Sequence, residues 1–315
     1  MKRFDRSIPQ VMAAVAALLF TAAPVVAENT RYCSQTTRLA DVACRNAADA
    51  ELWKARGICT NVTGDELREE CFAEAGEVYA EQRELCMQQQ EARDAVCEAL
   101  GEARYDPFID PAQFVDPLAI GDIVAPNPYF PLVPGMQRTY QAGAELIEVQ
   151  VTTDTVTIQG VDCIVLRDTV SSGGELVEDT DDWYAQDING NVWYFGEIAR
   201  NYEDGTLTDL DGSWVAGVDG ARAGIIMQAM PQLGTLYRQE WALAEAEDMG
   251  EVIALDATET APAASCSGTC LQTLDFTALE PDALEYKFYA PGIGVIVEYR
   301  VDTPEDRMEL IGFSN

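Results

Sequence analysis

The sequence predicts an α+β protein: a disulfide-laddered antiparallel helical hairpin, then a mainly antiparallel β domain built as a meander, a barrel or a strongly curved sheet. Two observations predict it. Six early cysteines are spaced as mirror images about Asp65, and from about residue 135 short strand-like runs alternate with glycine-rich turns. The expected divisions are 1–27 signal peptide, 28–104 cysteine-rich helical hairpin, 105–134 proline-rich extended linker and 135–315 antiparallel β domain.

The first 27 residues have the pattern of a secretory signal peptide. Three basic residues precede an apolar run from Val11 to about Ala23, and small residues lead to a predicted cleavage after Ala27. The run is too short for a spanning helix with room to tilt. No later stretch approaches a membrane span, so we expect an exported protein, periplasmic or secreted, without a transmembrane segment.

The composition limits the chemistry. The formal net charge is −34, which disfavours a nucleic-acid partner. There is no histidine, which excludes Ser-His-Asp and Cys-His catalysis and histidine-ligated zinc. The acidity has two interpretations, a salt-adapted surface or a calcium-binding protein, because calcium takes carboxylate oxygens. No cofactor is required, and calcium is the one ion that the composition favours.

The spacing of the early cysteines predicts a ladder of bridges. Each cysteine before Asp65 has a counterpart at the same distance after it, as two antiparallel cross-linked helices require. Intervals of 11 and 15 residues lie close to whole helical turns, so each helix keeps its cysteines on one face. Six cysteines allow 15 pairings. The symmetry selects Cys59–Cys71, Cys44–Cys86 and Cys33–Cys97.

Other local signals complete the hairpin. Asn61 to Gly64 predict its turn, and Thr63-Gly-Asp-Glu66 fits a capping box that opens the second helix. Large apolar residues are sparse, so we expect the bridges to hold the hairpin. The hairpin is interpreted as a spacer, or as an arm that contacts an envelope protein.

The rest of the chain reads as extended structure. Residues before proline avoid the helical region, which favours an extended linker over 105–134. Twelve strands are expected between Arg138 and Phe313, with Ala223 to Met230 as a short helix or an irregular crossing. Two later cysteines, Cys266 and Cys270, are predicted to form a small bridge. The remaining Cys163 lies in an apolar strand and is expected to be buried and free.

Asn189-Gly190 is the strongest hairpin signal, because a type I′ turn needs positive φ at both central residues. A two-residue turn there fixes the opposed pairs as Tyr184–Phe195, Trp183–Gly196 and Asp182–Glu197. Like charges directly opposed destabilise a sheet. The last pair is therefore expected to be solvated, to share a proton or to hold a cation.

This acidic hairpin is the candidate metal site. Asp187-x-Asn189-x-Asn191 repeats the alternating oxygen ligands of a calcium loop, and Asp182 and Glu197 lie beyond it. The pattern is not an EF-hand, since no helices flank it. Asx residues also favour hairpin turns for local reasons, which is the competing explanation.

Two further functions are consistent with these residues. In a carboxylate-dependent hydrolase, Asp182 and Glu197 would be an acid–base pair beside aromatic rings suited to a glycan. In a binding protein, a curved sheet would enclose a small apolar or aromatic ligand. The candidate ligand-binding aromatics are Trp183, Tyr184, Trp193, Phe195, Trp214, Tyr237 and Trp241. They also suit an ordinary core. We favour an exported, non-catalytic binding or envelope-associated protein, with calcium as an optional ligand and the hydrolase as the alternative.

The β domain contains several distinctive stretches: Asn127-Pro-Tyr-Phe-Pro-Leu-Val-Pro-Gly135, Asp182-Trp-Tyr-Ala-Gln-Asp187 with Gly190-Asn-Val-Trp-Tyr-Phe-Gly-Glu197, Gly212-Ser-Trp214 with Gly217-Val-Asp-Gly220, and Tyr237-Arg-Gln-Glu240. They resemble a recurring group of exported bacterial proteins without an assigned function. The resemblance covers the β domain only, so it implies that the cysteine hairpin is an addition. It implies an exported location and no particular activity.

Overall fold

Two long antiparallel helices open the part of the chain that the computed structural model describes, residues 31–314. Helix α1 spans Tyr32–Thr60 and α2 spans Asp65–Leu100. The predicted signal peptide, residues 1–27, lies outside the described residues. Within residues 31–314, no helix combines the length and apolarity needed to cross a membrane.

The predicted disulfide ladder is confirmed. Its Cα–Cα distances are 5.6, 5.8 and 5.5 Å for Cys33–Cys97, Cys44–Cys86 and Cys59–Cys71. The predicted capping box is wrong. Helix α2 begins at Asp65 after Gly64, whose φ is 101°, and no side chain caps it.

Within the described residues, fifteen strands form one antiparallel sheet. Their bounds are β1 Gln137–Ala142, β2 Glu145–Ile158, β3 Val161–Ser172, β4 Glu175–Gln186, β5 Val192–Glu203, β6 Thr206–Asp209, β7 Trp214–Val215, β8 Arg222–Met227, β9 Leu236–Arg238, β10 Glu240–Trp241, β11 Asp248–Thr260, β12 Ser265–Thr277, β13 Leu284–Ala290, β14 Gly294–Arg300 and β15 Arg307–Ser314.

The sheet is nearly closed and barrel-like, as the predicted fold class allows. Its strand order is β10-β8-β5-β4-β3-β2-β1-β15-β14-β13-β12-β11-β9, with β6 and β7 beside β5. The two terminal strands of this order, β9 and β10, are separated in the chain only by Gln239. A Cβ on Gly224 would lie 2.2 Å from the Gln239 carbonyl oxygen, so glycine is required where the two ends meet.

Residues 223–230 differ from the expectation of a helix or irregular crossing. They contain most of β8, which pairs with β5 on one side and β10 on the other. Local sequence could not reveal this, because neither partner of β8 is its neighbour in the chain.

The proline-rich segment 105–134 supplies part of the core. Ile120 is 2% exposed and Leu132 is fully buried, and both pack with the inner residues of the sheet. Asn127 is buried as well, and its Nδ2 donates hydrogen bonds to the carbonyl oxygens of Gly190 (2.8 Å) and Gln228 (3.2 Å). The segment therefore fastens the β4–β5 hairpin to the interior.

Candidate functional site

The turn between β4 and β5 is longer than predicted. Residues 187–191 connect the strands, and the Asp187 N–H donates to the Asn191 carbonyl oxygen at 2.9 Å. Tyr184 consequently pairs with Tyr194, and the predicted Tyr184–Phe195 pair is wrong. The two-residue turn failed because the Asp187 side chain organises a wider loop.

A bulge then restores the predicted register. It lies between Trp183 and Tyr184 on β4, opposite Phe195, so that Trp183 faces Gly196 as expected. Gly196 has a φ of 135°, and a Cβ there would meet the Trp214 carbonyl oxygen at 2.2 Å. The bulge lets β7 approach β5, and Asp182 remains directly opposite Glu197, as predicted.

The carboxylate of Asp187 is engaged by four protein donors. Its Oδ1 accepts from the backbone N–H groups of Asn189 and Asn191, both at 2.9 Å. Its Oδ2 accepts from Asn191 Nδ2 at 2.8 Å and Trp193 Nε1 at 3.1 Å. The described residues contain no group of three or more Cys, Asp or Glu arranged to hold a metal ion. Calcium at this loop stays a prediction, and the loop is shaped without it.

Several of the predicted ligand-binding aromatics pack against other aromatic rings, namely Phe114, Phe130 and Tyr194. Tyr184 and Tyr194 stack with ring centroids 4.5 Å apart, and Trp214 meets Tyr194 edge-on at 5.3 Å. Phe195 is fully buried. None of the three cavities described below is lined by Trp183, Tyr184, Trp193, Phe195 or Trp214.

Asp182 and Glu197 form a buried carboxyl pair. Asp182 is 8% exposed, and the Tyr194 hydroxyl donates to its Oδ1 at 2.5 Å. Burial, and then the Glu197 charge, raise the pKa of Asp182 well above its ordinary value. Burial also raises the pKa of Glu197 to about 7. Burial and the neighbouring charge therefore favour the protonated form of these opposed carboxyls.

An acidic cavity of about 320 Å³ adjoins this pair. It is lined by Glu197, Glu240, Asp248, Asp275, Glu285 and Lys287, among others. Trp214 Nε1 donates to Glu240 Oε2 at 2.8 Å, and Lys287 lies 3.3 Å from Asp275. Burial raises the pKa values of Glu240 and Asp248. The cavity therefore carries fewer negative charges near neutral pH than the same carboxyls would carry in water.

The arrangement meets part of what carboxylate catalysis requires. A carboxylic acid with a pKa near 7 suits a general acid, and Glu197 reaches the cavity. A glycosidase also needs a second, ionised carboxylate facing the same space. The structure brings the predicted acid–base pair together. Only Glu197 faces the cavity, because Asp182 does not line it.

A second cavity, of about 280 Å³, lies where the helical hairpin meets the sheet, and we call it the seam cleft. Its apolar and aromatic lining includes Tyr32, Val96, Tyr105, Trp241, Leu243 and Ala278. Its charged lining residues are Arg93, Arg104, Asp106, Arg222, Arg238 and Glu247. Clefts between two parts of a chain are common ligand sites.

Two ion pairs hold the walls of the seam cleft. Arg93 on α2 binds Glu247 with two parallel hydrogen bonds of 2.8 Å, both side chains being buried. Arg222 Nε donates to Asp106 at 2.9 Å in a more exposed position. The first pair joins the hairpin to the sheet, so the cleft is preformed.

The other two arginines of the cleft contact aromatic rings. The Arg104 guanidinium carbon lies 4.0 Å from the Tyr32 ring centroid, and that of Arg238 lies 5.4 Å from the Tyr105 ring centroid. Burial lowers the pKa of Arg238. In the part of the chain that the structure describes, neither guanidinium forms an ion pair.

Sequence reasoning missed this cleft. Its arginines come from α2, the residues after α2, β8 and β9, and no local pattern links them. Trp241 was predicted to contact a ligand inside a curved sheet. It lines the seam cleft instead. The convergence of four of the 20 basic residues on one cavity appears only in the folded chain.

The hairpin carries a third, shallower cavity of about 280 Å³ near its tip, lined by residues such as Leu52, Ile58 and Val78. Trp53 and Ile58 are 66% and 60% exposed. This is the surface that an envelope protein would contact if the predicted arm has that role.

The remaining cysteines match their predictions. Cys266 and Cys270 are bonded, with Cα atoms 5.4 Å apart. Cys163 is free and fully buried, and burial raises the pKa of its thiol. A buried neutral thiol is a poor nucleophile, so Cys163 belongs to the core.

Comparison with known proteins gives no match: no family model matches the chain, and neither curated proteins nor solved structures match it. The functional assignment therefore rests on the geometry alone.

Proposed function

We propose that this chain is an exported, non-catalytic binding protein and that a small ligand occupies the seam cleft. The observation that carries the proposal is the cleft itself: about 280 Å³, walled by two parts of the chain and lined by aromatic and cationic groups. Ligand sites in proteins combine apolar surface with converging polar groups, and the seam cleft contains both.

The preformed walls support a binding role. The Arg93–Glu247 pair fixes the hairpin against the sheet, and the Tyr105 hydroxyl donates to the Ala223 carbonyl oxygen at 2.9 Å. A site that is already ordered loses little conformational entropy when a ligand enters. The four disulfide bonds fit an oxidising compartment, periplasmic or extracellular.

Two dyes that share one ring system test the proposal. They are the neutral N-phenyl-1-naphthylamine and its sulfonated analogue, 8-anilino-1-naphthalenesulfonate. We expect at least one to bind the oxidised mature protein saturably, with one dye per chain. Leu243→Trp, which places an indole at the cleft, should weaken this binding about tenfold or more.

Leu255→Trp is the matched control. Leu255 is 42% exposed and Leu243 is 38% exposed, and Leu255 does not line the cleft. Its substitution should leave dye binding unchanged. Failure of both dyes to bind, or equal binding by the two variants, contradicts the proposal.

A carboxylate-dependent hydrolase is the second candidate, because Glu197 combines a pKa of about 7 with access to the acidic cavity. Release of 4-nitrophenol from a panel of aryl glycosides, compared between the native protein and Glu197→Gln, tests it. A hydrolase using Glu197 as general acid should lose about 10²–10⁴-fold in rate. No turnover by the native protein, or turnover that survives Glu197→Gln, counts against this candidate.

A further inference from the structure

The seam cleft has the opposite charge to the rest of the protein. Four guanidinium groups and two carboxylates line it, an excess of two positive charges. The whole chain carries −34. The carboxylates of the surrounding surface attract small cations. The excess of arginine in the cleft makes the local field there favourable to an anion.

Guanidinium groups without a carboxylate partner point the same way. Arg104 and Arg238 are held against Tyr32 and Tyr105, and among the described residues neither has an ion-pair partner, although Arg238 Nη1 contacts Met249 Sδ at 3.8 Å. Arg93 binds Glu247 through Nε and Nη2, while its buried Nη1 has no acceptor within residues 31–314. In a chain with 54 acidic residues, carboxylates are abundant, and these donors remain without them.

The aromatic and aliphatic lining describes the rest of the ligand. Trp241 and Tyr105 offer flat faces, and Leu243 and Val96 offer aliphatic contacts. A planar apolar ring buried against such groups gains about 25 cal/mol per Å² of apolar area. The guanidinium groups would then meet an oxyanion attached to that ring, since their planar fork matches carboxylate, sulfonate and phosphate oxygens.

We infer that the seam cleft binds a small organic oxyanion: a flat apolar ring bearing a carboxylate, sulfonate or phosphate that Arg238 and Arg104 receive. This inference rests on the proposed function, because it names the chemical class of the ligand in the same cleft. It goes further in requiring the negative charge and in assigning specificity to two arginines.

The two dyes separate the inference from the proposed function, because only one carries an oxyanion. We expect 8-anilino-1-naphthalenesulfonate to bind about tenfold or more tightly than N-phenyl-1-naphthylamine at low salt. Raising the ionic strength should weaken the sulfonate and leave the neutral dye unchanged. If both dyes bind equally in a Leu243-dependent manner, the proposed function stands and the anion inference is overturned. If neither binds, both fail.

Arginine variants locate the anion. Arg104→Gln removes an exposed guanidinium at little risk to folding, and Arg238→Gln removes the half-buried one. Each should weaken the sulfonated dye about tenfold without changing the affinity for the neutral dye. Arg167→Gln, an exposed arginine paired with Asp179 on the sheet, is the control. Loss of both dyes together in Arg104→Gln, or no loss of either dye, overturns the assignment.

Discussion

The helical hairpin and the sheet are held together in different ways. The hairpin buries only small or polar side chains besides Val96 and its cysteines, and three disulfide bonds cross it. The sheet buries a continuous set of large side chains that includes Phe195, Leu132 and Met227. The first is stabilised chiefly by restricting the unfolded chain and the second by removing apolar surface from water.

The difference explains where the candidate ligand site lies. The β domain alone walls the acidic cavity of about 320 Å³ and the hairpin alone walls a shallow one of about 280 Å³, and no arginine lines either of them. The cleft forms where the hairpin rests against the sheet, and the Arg93–Glu247 pair sets the distance between them. The wall of the cleft that comes from the sheet is held by packing, and the wall that comes from the hairpin is held by disulfide bonds.

Reduction of the disulfide bonds should produce the largest difference in stability between the hairpin and the sheet. Each hairpin bridge contributes about 2–4 kcal/mol, so removing three should unfold residues 32–100. The sheet has one bridge, and it closes a short loop between Cys266 and Cys270. Amide hydrogen exchange after reduction should show loss of protection in α1 and α2 and retained protection in the strands. Equal loss in both regions would contradict the comparison.

The ion pair that joins the regions should have the next largest effect. Glu247→Leu leaves the Arg93 guanidinium buried without its partner, which costs about 3–5 kcal/mol of unfolding free energy. The double variant Arg93→Leu with Glu247→Leu should recover part of that loss in urea denaturation. Asp106→Asn, which breaks the more exposed Arg222 pair, should cost about 0–1 kcal/mol. Equal costs for the single and double Leu variants would contradict this account.

Truncation inside the sheet tests whether the proline-rich segment is core. Leu132→Ala should cost about 2–5 kcal/mol, because a fully buried side chain leaves a cavity. Leu118→Ala in the same segment changes a side chain that is 49% exposed and should cost about 0.5 kcal/mol or less. Thermal unfolding of both variants decides between a core segment and a passive connector.

The smallest expected effect is the pH dependence of the sheet. Burial raises the pKa of Asp168 to about 8 and of Glu197 to about 7, and raises that of Asp182 well above its ordinary value. The folded state therefore binds more protons than the unfolded chain between about pH 4.5 and pH 8. Stability, and with it the melting temperature, should fall as pH rises through that window.

Variants isolate the buried carboxyls from the general charge. Asp182→Asn should flatten the pH dependence, since it removes one of the protons that only the folded state retains. Glu81→Gln on the exposed face of α2 removes a charge without touching the sheet. An identical change of slope in both variants would assign the effect to net charge and not to the buried pair.

The two regions also differed in how far the sequence could predict them. The disulfide ladder follows from helical periodicity, a local rule, so its three bridges are correct. The predicted strand register of the β4–β5 hairpin is correct far from the turn and wrong next to it. The difference arises because Asp187 accepts a hydrogen bond from Trp193 Nε1 and organises a wider loop. The seam cleft depends on residues brought together only by the closure of the sheet against the hairpin, which no spacing encodes.

Strand β1 lies between β2, its neighbour in the chain, and β15, which begins only at Arg307. Gln137 pairs with Ser314, so this ladder cannot form until residue 314 has been synthesised. Contacts between residues so far apart make folding slow. If the first 27 residues direct export as predicted, the β1–β15 ladder is absent from a chain in transit until β15 has crossed the membrane. The order of the strands would then delay completion of the sheet until residue 314 has been exported.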